Sequence, residues 1–169
     1  MALTEDEKKI LSEVVGELSE FYEAVSGSSD PVAQVLRLHA LTEYYLEQLI
    51  ETQFKNGTII TSDNRFGYHH KLQVVSTLGL LDPGLVGVLR KLTQLRNNFA
   101  HHRAPVVTKK DIRQAAKPLD AKFKSELRRT SEEPKEILAL ARVIHEQFRH
   151  LLMVCRMAGP ALSYDILKT

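Results

Sequence analysis

Cysteine is almost missing from this chain, because Cys155 is the only one among 169 residues. An internal disulfide needs two cysteines, so a disulfide-stapled secreted fold is excluded and a cytoplasmic location is expected. Long apolar runs are lacking too, since no stretch reaches the roughly 18 consecutive apolar residues of a membrane span. The first nine residues turn acidic where an export signal would carry basic residues and then an apolar run, so we expect no export signal.

The signature motifs of common enzyme classes are also absent. The chain has no Walker loop for phosphates, no glycine fingerprint for dinucleotides and no nucleophile elbow. Histidine pairs stand at positions 69–70 and 101–102, but adjacent histidines on a helix point about 100° apart. No carboxylate stands at ligand spacing beside them. We therefore expect neither a metal site nor a cofactor.

Apolar residues make up 43% of the chain and recur mainly at helical spacing, which predicts one all-α domain over residues 1–169 with about six helices. Capping signals mark several helix starts: Thr4 with Glu7, Asp30 before Pro31, and Thr108 with Asp111. Pro118 should kink or divide the fifth helix. The stretch from Gly57 to about Arg65 is predicted to be a loop, in which residues 58–61 could pair briefly but have no partner strand. The other helices are expected at about 4–25, 31–54, 66–80, 85–101 and 133–157.

Charge is distributed unevenly along the chain. Residues 1–60 carry four Lys or Arg against eleven Asp or Glu, whereas residues 90–129 carry twelve against three. Such asymmetry favours a basic face that meets a polyanion, above all the phosphates of a nucleic acid. The alternative is a solvated helix face that pairs with the acidic first half of the chain.

Residues 96–101 read RNNFAH and carry the most informative pattern: Arg96, a polar residue, three residues of any kind, then His101. This pattern resembles the signature of the HEPN superfamily of helical, RNA-associated domains. The resemblance extends over residues 41–50, 66–72, 78–81 and 92–101, which look like successive helices of the mannitol operon repressor family within that superfamily. It covers roughly residues 30–102, and nothing comparable supports residues 105–169.

The resemblance implies a HEPN-like helical bundle, a homodimer and one of two functions. Catalytic HEPN proteins cleave RNA without a metal ion, often as toxins or defence nucleases. Repressor-like members act as non-catalytic regulators of transcription or as immunity proteins, through a protein partner that can be an antitoxin, a toxin or a regulator. The resemblance therefore leaves the enzyme question open.

The residues of the motif have the chemistry for RNA cleavage. His101 can act as the base or the acid, Arg96 can bind the phosphate, and Asn97 can orient His101. Arg96 and His101 diverge by about 140° on one helix, so either the helix ends at Ala100 or a dimer brings two copies of the motif together. His102, Arg103, Lys109, Lys110 and Arg113 are the predicted nucleic-acid contacts.

Two other interpretations stay open. The same Arg, Asn and His side chains could simply cap carbonyls and complement the dipole at a helix end. Residues 76–89 also faintly resemble a DNA-binding helix-turn-helix, but the second helix would begin with Leu85, Val86, Gly87 and Val88. These side chains cannot hydrogen-bond base edges, so we expect them in the core.

Overall fold

The computed structural model describes residues 4–100, 105–130 and 135–158, which form α-helices and one short 3-10 helix, with no strand among them. The predicted all-α bundle is confirmed. Within these residues, no helix is both long and apolar enough to cross a membrane. In chain order, the helices are α1 (Glu5–Ser26), α2 (Pro31–Gln53), α3 (Gly57–Thr61), α4 (Tyr68–Thr77), α5 (Pro83–Ala100), α6 (Lys109–Ala116), the 3-10 helix (Lys117–Leu119), α7 (Asp120–Arg129) and α8 (Lys135–Ala158).

Two of the capping signals act as the sequence predicts. The Asp30 carboxylate accepts a hydrogen bond from the Val32 amide at 3.0 Å, which fixes the start of α2. Thr108 and Asp111 form a complete capping box at the start of α6, because each side chain accepts from the backbone of the other. These helix starts are therefore encoded locally.

The predicted loop at residues 58–61 differs from the structure, which has the short helix α3 there. The start of α3 packs directly on the end of α2. A Cβ atom at Gly57 would lie only 2.7 Å from Glu51 Cα and 2.9 Å from the Ile50 carbonyl oxygen. Only glycine permits this approach, so a residue that looks like a helix terminator also allows the next helix to pack.

Two further breaks in the helices follow from single residues. Pro118 lies within the 3-10 helix that separates α6 from α7, as predicted, since proline cannot donate to the helical ladder. Gly79 adopts a positive φ of 69° just after α4, which lets the chain turn towards α5. Leu85 and Val88 at the start of α5 are buried, which confirms that they belong to the core.

The core is centred on α2 and α8. Leu38, Tyr45 and Leu49 on α2 are fully buried and belong to the same apolar cluster as Ile144 and Phe148 on α8. Each such side chain contributes about 1.5–3 kcal/mol by leaving water. The helix α2 is therefore held firmly in the core, and the side chains that it carries have well-defined positions.

The sequence also predicts that α4 and α5 are antiparallel neighbours. In the structure α4 packs mainly against α2, whereas α5 contacts the 3-10 helix, α2 and α6, and the two helices make few contacts with each other. The space between α4 and α5 is closed on one side by α2. This space contains the larger of the two cavities described below.

Candidate functional site

Arg96 and Asn97 lie near the C-terminal end of α5, and both side chains are exposed. The Arg96 guanidinium donates a hydrogen bond from Nη1 to Oδ1 of Asn97 at 3.2 Å. Among the residues that the structure describes, no carboxylate forms an ion pair with Arg96. The guanidinium is thus held by a neutral amide and keeps its charge available for a ligand.

These two residues line an open cavity of about 450 Å³ between α2, α4 and α5. We call it the Arg96 cavity. It brings together side chains that are far apart in the sequence and rich in imidazole and guanidinium groups. Besides Arg96 and Asn97, the main lining residues are His39, Glu43, Arg65, Tyr68, His69 and His70.

His39 and Tyr68 form the inner wall of the Arg96 cavity. Their rings stack with centroids 4.1 Å apart and an interplanar angle of 28°. The Tyr68 hydroxyl lies 3.0 Å from Oγ1 of Thr42, and Nε2 of His39 lies 3.5 Å from Oγ1 of Thr93. The stack and these polar contacts fix both rings, so the inner wall is preorganised.

The imidazole of His39 favours its neutral form. Burial lowers its pKa most, the positive charge of Arg96 lowers it further, and Glu43 acts in the opposite direction. A histidine with a lowered pKa is uncharged at neutral pH and can accept a proton. The dependence on Arg96 also shows that the two side chains are electrostatically coupled across the cavity.

Tyr68 has a different role from His39. Burial raises its pKa to about 12, although the hydrogen bonds with Thr42 and Thr93 lower it in part. The hydroxyl therefore stays protonated throughout the physiological range. Tyr68 supports the imidazole ring and does not supply a proton.

A buried lysine orients the acidic side of the cavity. Lys71 is almost fully buried, and its ammonium lies 2.7 Å from Oε1 of Glu43 and 2.5 Å from Oε1 of Glu47. Burial acts to lower the pKa of Lys71, but its hydrogen bonds with the two carboxylates outweigh that effect, so the pKa lies above its usual value. Lys71 thus binds the carboxylate of Glu43, the one acidic side chain among the cavity residues named above.

The predicted nucleic-acid contacts on α6 lie in another environment. Arg113 donates to Oε1 of Glu136 at 2.9 Å, and the Lys109 ammonium lies 3.9 Å from Oε2 of the same carboxylate. Glu136 belongs to α8 and is only 5% exposed. The alternative interpretation, in which the basic segment pairs with the acidic first half of the chain, does not describe the ion pair of Arg113, because Glu136 lies on α8. Lys110 is exposed.

The second half of the predicted motif cannot be compared with the structure. His101, His102 and Arg103 lie outside the described residues. Their predicted roles stay predictions, as does the choice between a helix end and a dimer. The prediction that Asn97 orients His101 stays a prediction too, and the structure shows Oδ1 of Asn97 accepting a hydrogen bond from Arg96.

Sequence reasoning missed His39 altogether. Its position on the buried face of α2 makes it look like a core residue, and 54 residues separate it from Thr93 in the sequence. The only signal was a histidine among the mainly apolar buried positions of that helix, which also include Gln34 and Thr42. His69 and His70 were considered as metal ligands, whereas they line a cavity with Arg96.

No protein-family model, curated protein or solved structure matches this chain. Across the described part of the chain, no three His, Cys, Asp or Glu side chains lie close enough together to hold a metal ion. The site must therefore be interpreted from its own chemistry.

Proposed function

We propose that this chain is a HEPN-type, RNA-directed protein, and that it cleaves RNA in the Arg96 cavity without a metal ion. The observation that supports this most strongly is the placement of Arg96, with no ion-pair partner among the described residues, on the same cavity as the neutral imidazole of His39. The HEPN resemblance of residues 96–101 supplies the identity of the substrate.

The reaction needs a cation for the phosphate, a base for the 2′-hydroxyl and an acid for the departing 5′-oxygen. Arg96 provides the cation, because its planar guanidinium can donate two parallel hydrogen bonds to phosphate oxygens. Asn97 limits the rotation of that guanidinium. In this proposal the phosphate of the RNA meets a guanidinium that is already partly oriented by its hydrogen bond with Asn97.

Proton transfer is assigned to histidine. His101 is the base or acid that the motif resemblance implies, and His39 provides a second imidazole, uncharged at neutral pH, on the inner wall of the cavity. An uncharged imidazole accepts the proton of the 2′-hydroxyl, and a protonated one donates to the leaving oxygen. Two histidines near one phosphate would thus supply both steps.

The proposal includes a homodimer, in which the motifs of two copies face each other across a shared cleft. Sedimentation measures this directly. A dimer at micromolar concentration is expected, and a strict monomer at that concentration would remove the shared cleft from the account.

The function itself is tested by incubating the purified protein with mixed RNA in EDTA and analysing the product ends. We expect products with 2′,3′-cyclic phosphate ends, loss of cleavage in Arg96→Ala and His101→Ala, and unchanged cleavage in Arg90→Ala. Arg90 is a matched control because it is an exposed arginine on the same helix that lies away from the cavity. Equal cleavage by all four proteins would assign the activity to a contaminant.

A second candidate is a non-catalytic regulator or immunity-type protein that binds a protein partner. Exposed apolar side chains favour it, since Ile59 is 71% and Val106 is 75% exposed. In that case the protein would leave RNA intact, and substitution of these two residues, rather than of Arg96, would weaken binding of the partner.

A further inference from the structure

A second cavity lies next to the Arg96 cavity, farther along α4. Its volume is about 380 Å³, and it is lined mainly by apolar side chains, among them Phe54 and Phe66. His70 lines both cavities. The two cavities are therefore adjacent, with guanidinium and imidazole groups lining the first and mainly apolar groups lining the second. We call the second cavity the Phe54 pocket.

The walls of the Phe54 pocket include exposed or half-exposed rings. The Phe66 and His70 rings stack with centroids 5.6 Å apart and an interplanar angle of 26°. Phe54 is 37% exposed, which is unusual for a phenylalanine in a folded domain. An aromatic surface of this kind offers π faces on which a flat ligand can stack.

Polar groups border this aromatic surface. The exposed amide of Gln73 lines the pocket, and so does the hydroxyl of Thr77, which donates to the Gln73 carbonyl at 2.8 Å. The hydroxyl oxygen still has a lone pair for a ligand, and the amide can both donate and accept. A ligand that fits is therefore planar, mostly apolar on its faces and polar at its edges.

We infer that the Phe54 pocket binds an unpaired nucleobase of the RNA strand whose phosphate is bound by Arg96. The inference rests on the proposed function and adds to it a preference for single-stranded RNA. A nucleobase has the required faces and edges, and its own backbone leads back past His70 to the guanidinium. An apolar peptide side chain would use the rings but would leave the neighbouring Arg96 cavity empty.

Stacking on an aromatic side chain tolerates any base, because every base has a π face. The pocket therefore selects unpaired RNA over duplex RNA more strongly than it selects one base over another. Hydrogen bonds with Gln73 would supply a weaker preference among the bases. A duplex keeps its bases stacked on each other, so it cannot fill the pocket without unpairing.

The test is a fluorescence anisotropy titration of the full-length protein with a short single-stranded RNA and with a series that carries one abasic position each. A His101→Ala background prevents cleavage during the measurement. We expect one abasic position to weaken binding about tenfold, as loss of one stacked base does. In Phe54→Ala, intact RNA should bind about tenfold more weakly, and that abasic RNA should bind as it does to the parent.

Three controls make the outcomes distinct. Ile59→Ala removes another exposed apolar side chain outside both cavities and should change neither affinity. Arg96→Ala should weaken intact and abasic RNA equally. Gln73→Ala, an exposed position on α4, replaces Phe54→Ala if that variant does not fold, and should reduce the difference between intact and abasic RNA.

The inference is overturned if no abasic position matters, or if Phe54→Ala weakens both RNAs equally. It is also overturned if Phe54→Ala abolishes self-association and leaves RNA binding intact, because the pocket would then be a contact between copies. Failure of the parent to bind any RNA would instead reject the proposed function, and the inference with it.

Discussion

Two groups of basic side chains, one at the end of α5 and one at the start of α6, look alike in the sequence and differ in the structure. Arg96 hydrogen-bonds a neutral amide and faces an open cavity. Arg113 and Lys109 share the carboxylate of Glu136, which is buried at the start of α8. Whether a cation is available to bind a ligand therefore depends on the group that it already contacts. The total charge of a segment does not identify the ligand-binding residue.

The same comparison separates function from stability. A cation that faces a cavity can be removed with little effect on folding, whereas a cation that neutralises a buried carboxylate cannot. Substitutions in the two groups should therefore change different measurements.

Arg96→Ala should lower the rate of RNA cleavage about 100-fold to 1000-fold, the usual effect of removing one preorganised donor to a developing anion. The free energy of unfolding should stay within about 0.5 kcal/mol of the parent value, as for other exposed positions. Single-turnover cleavage and urea unfolding measure the two quantities. A large loss of stability would show that Arg96 stabilises the fold, as Arg113 is expected to do, and would contradict the difference between the two groups.

Arg113→Ala should show the opposite profile. It leaves the Glu136 carboxylate buried with only the more distant Lys109, and we expect a loss of about 1–3 kcal/mol in the free energy of unfolding. RNA affinity should change less than about twofold. Urea unfolding and anisotropy measure these effects, with exposed Lys110→Ala on the same helix as control. A loss of RNA affinity as large as that of Arg96→Ala would show that the predicted nucleic-acid contacts on α6 also bind RNA.

Asn97→Ala should lower RNA affinity about fivefold, because loss of one hydrogen bond of about 1 kcal/mol frees the Arg96 guanidinium to rotate. Asn97→Asp should lower it more, since the new carboxylate would neutralise the guanidinium. Anisotropy with intact RNA ranks the two variants. If Asn97→Asp binds RNA better than Asn97→Ala does, RNA binding in the cavity does not depend on the positive charge of Arg96.

The smallest effect concerns pH and stability. The pKa of His39 is lowered in the folded protein, so the unfolded chain binds more protons than the folded one near the usual pKa of 6.5. The stability that the neutral imidazole contributes is complete above that value and is lost as the pH falls through the folded pKa. His145, whose pKa burial also lowers, acts in the same direction.

Urea unfolding at pH 7.5 and at pH 5.5 measures this dependence. The parent should be less stable at the lower pH, and His39→Gln should show a smaller decrease because the contribution of His39 is removed while that of His145 remains. A His39→Gln profile parallel to that of the parent would show that His39 is not held in its neutral form. The effect of the Arg96 charge on the pKa of His39 would then also be rejected.

Much of the fold could be predicted because its determinants are local. Asp30, Thr108 and Pro118 act within a few residues of themselves, so their effects on α2, α6 and the 3-10 helix can be read from the sequence. The helix α3 could not be predicted, because it depends on how closely Gly57 approaches α2. That distance is a property of packing and leaves no local pattern.

The candidate site was predictable only in part for the same reason. Arg96 and Asn97 belong to a short motif and could be selected from it. His39 and Tyr68 lie 29 residues apart in the numbering and meet only because α4 packs on α2. A histidine with helical spacing among apolar residues looks like part of the core, and only the fold shows that it also lines a cavity.

Photo-crosslinking of a 4-thiouridine-substituted RNA, followed by mass spectrometry of the linked peptides, identifies which residues of the protein the RNA contacts. The measurement compares the two basic groups within one sample and needs no substitution. We predict crosslinks at residues 64–70 and 93–97, around the Arg96 cavity, and few at residues 109–113. Crosslinks that concentrate on residues 109–113 and spare the cavity would contradict the assignment of Arg96 as the RNA-binding residue.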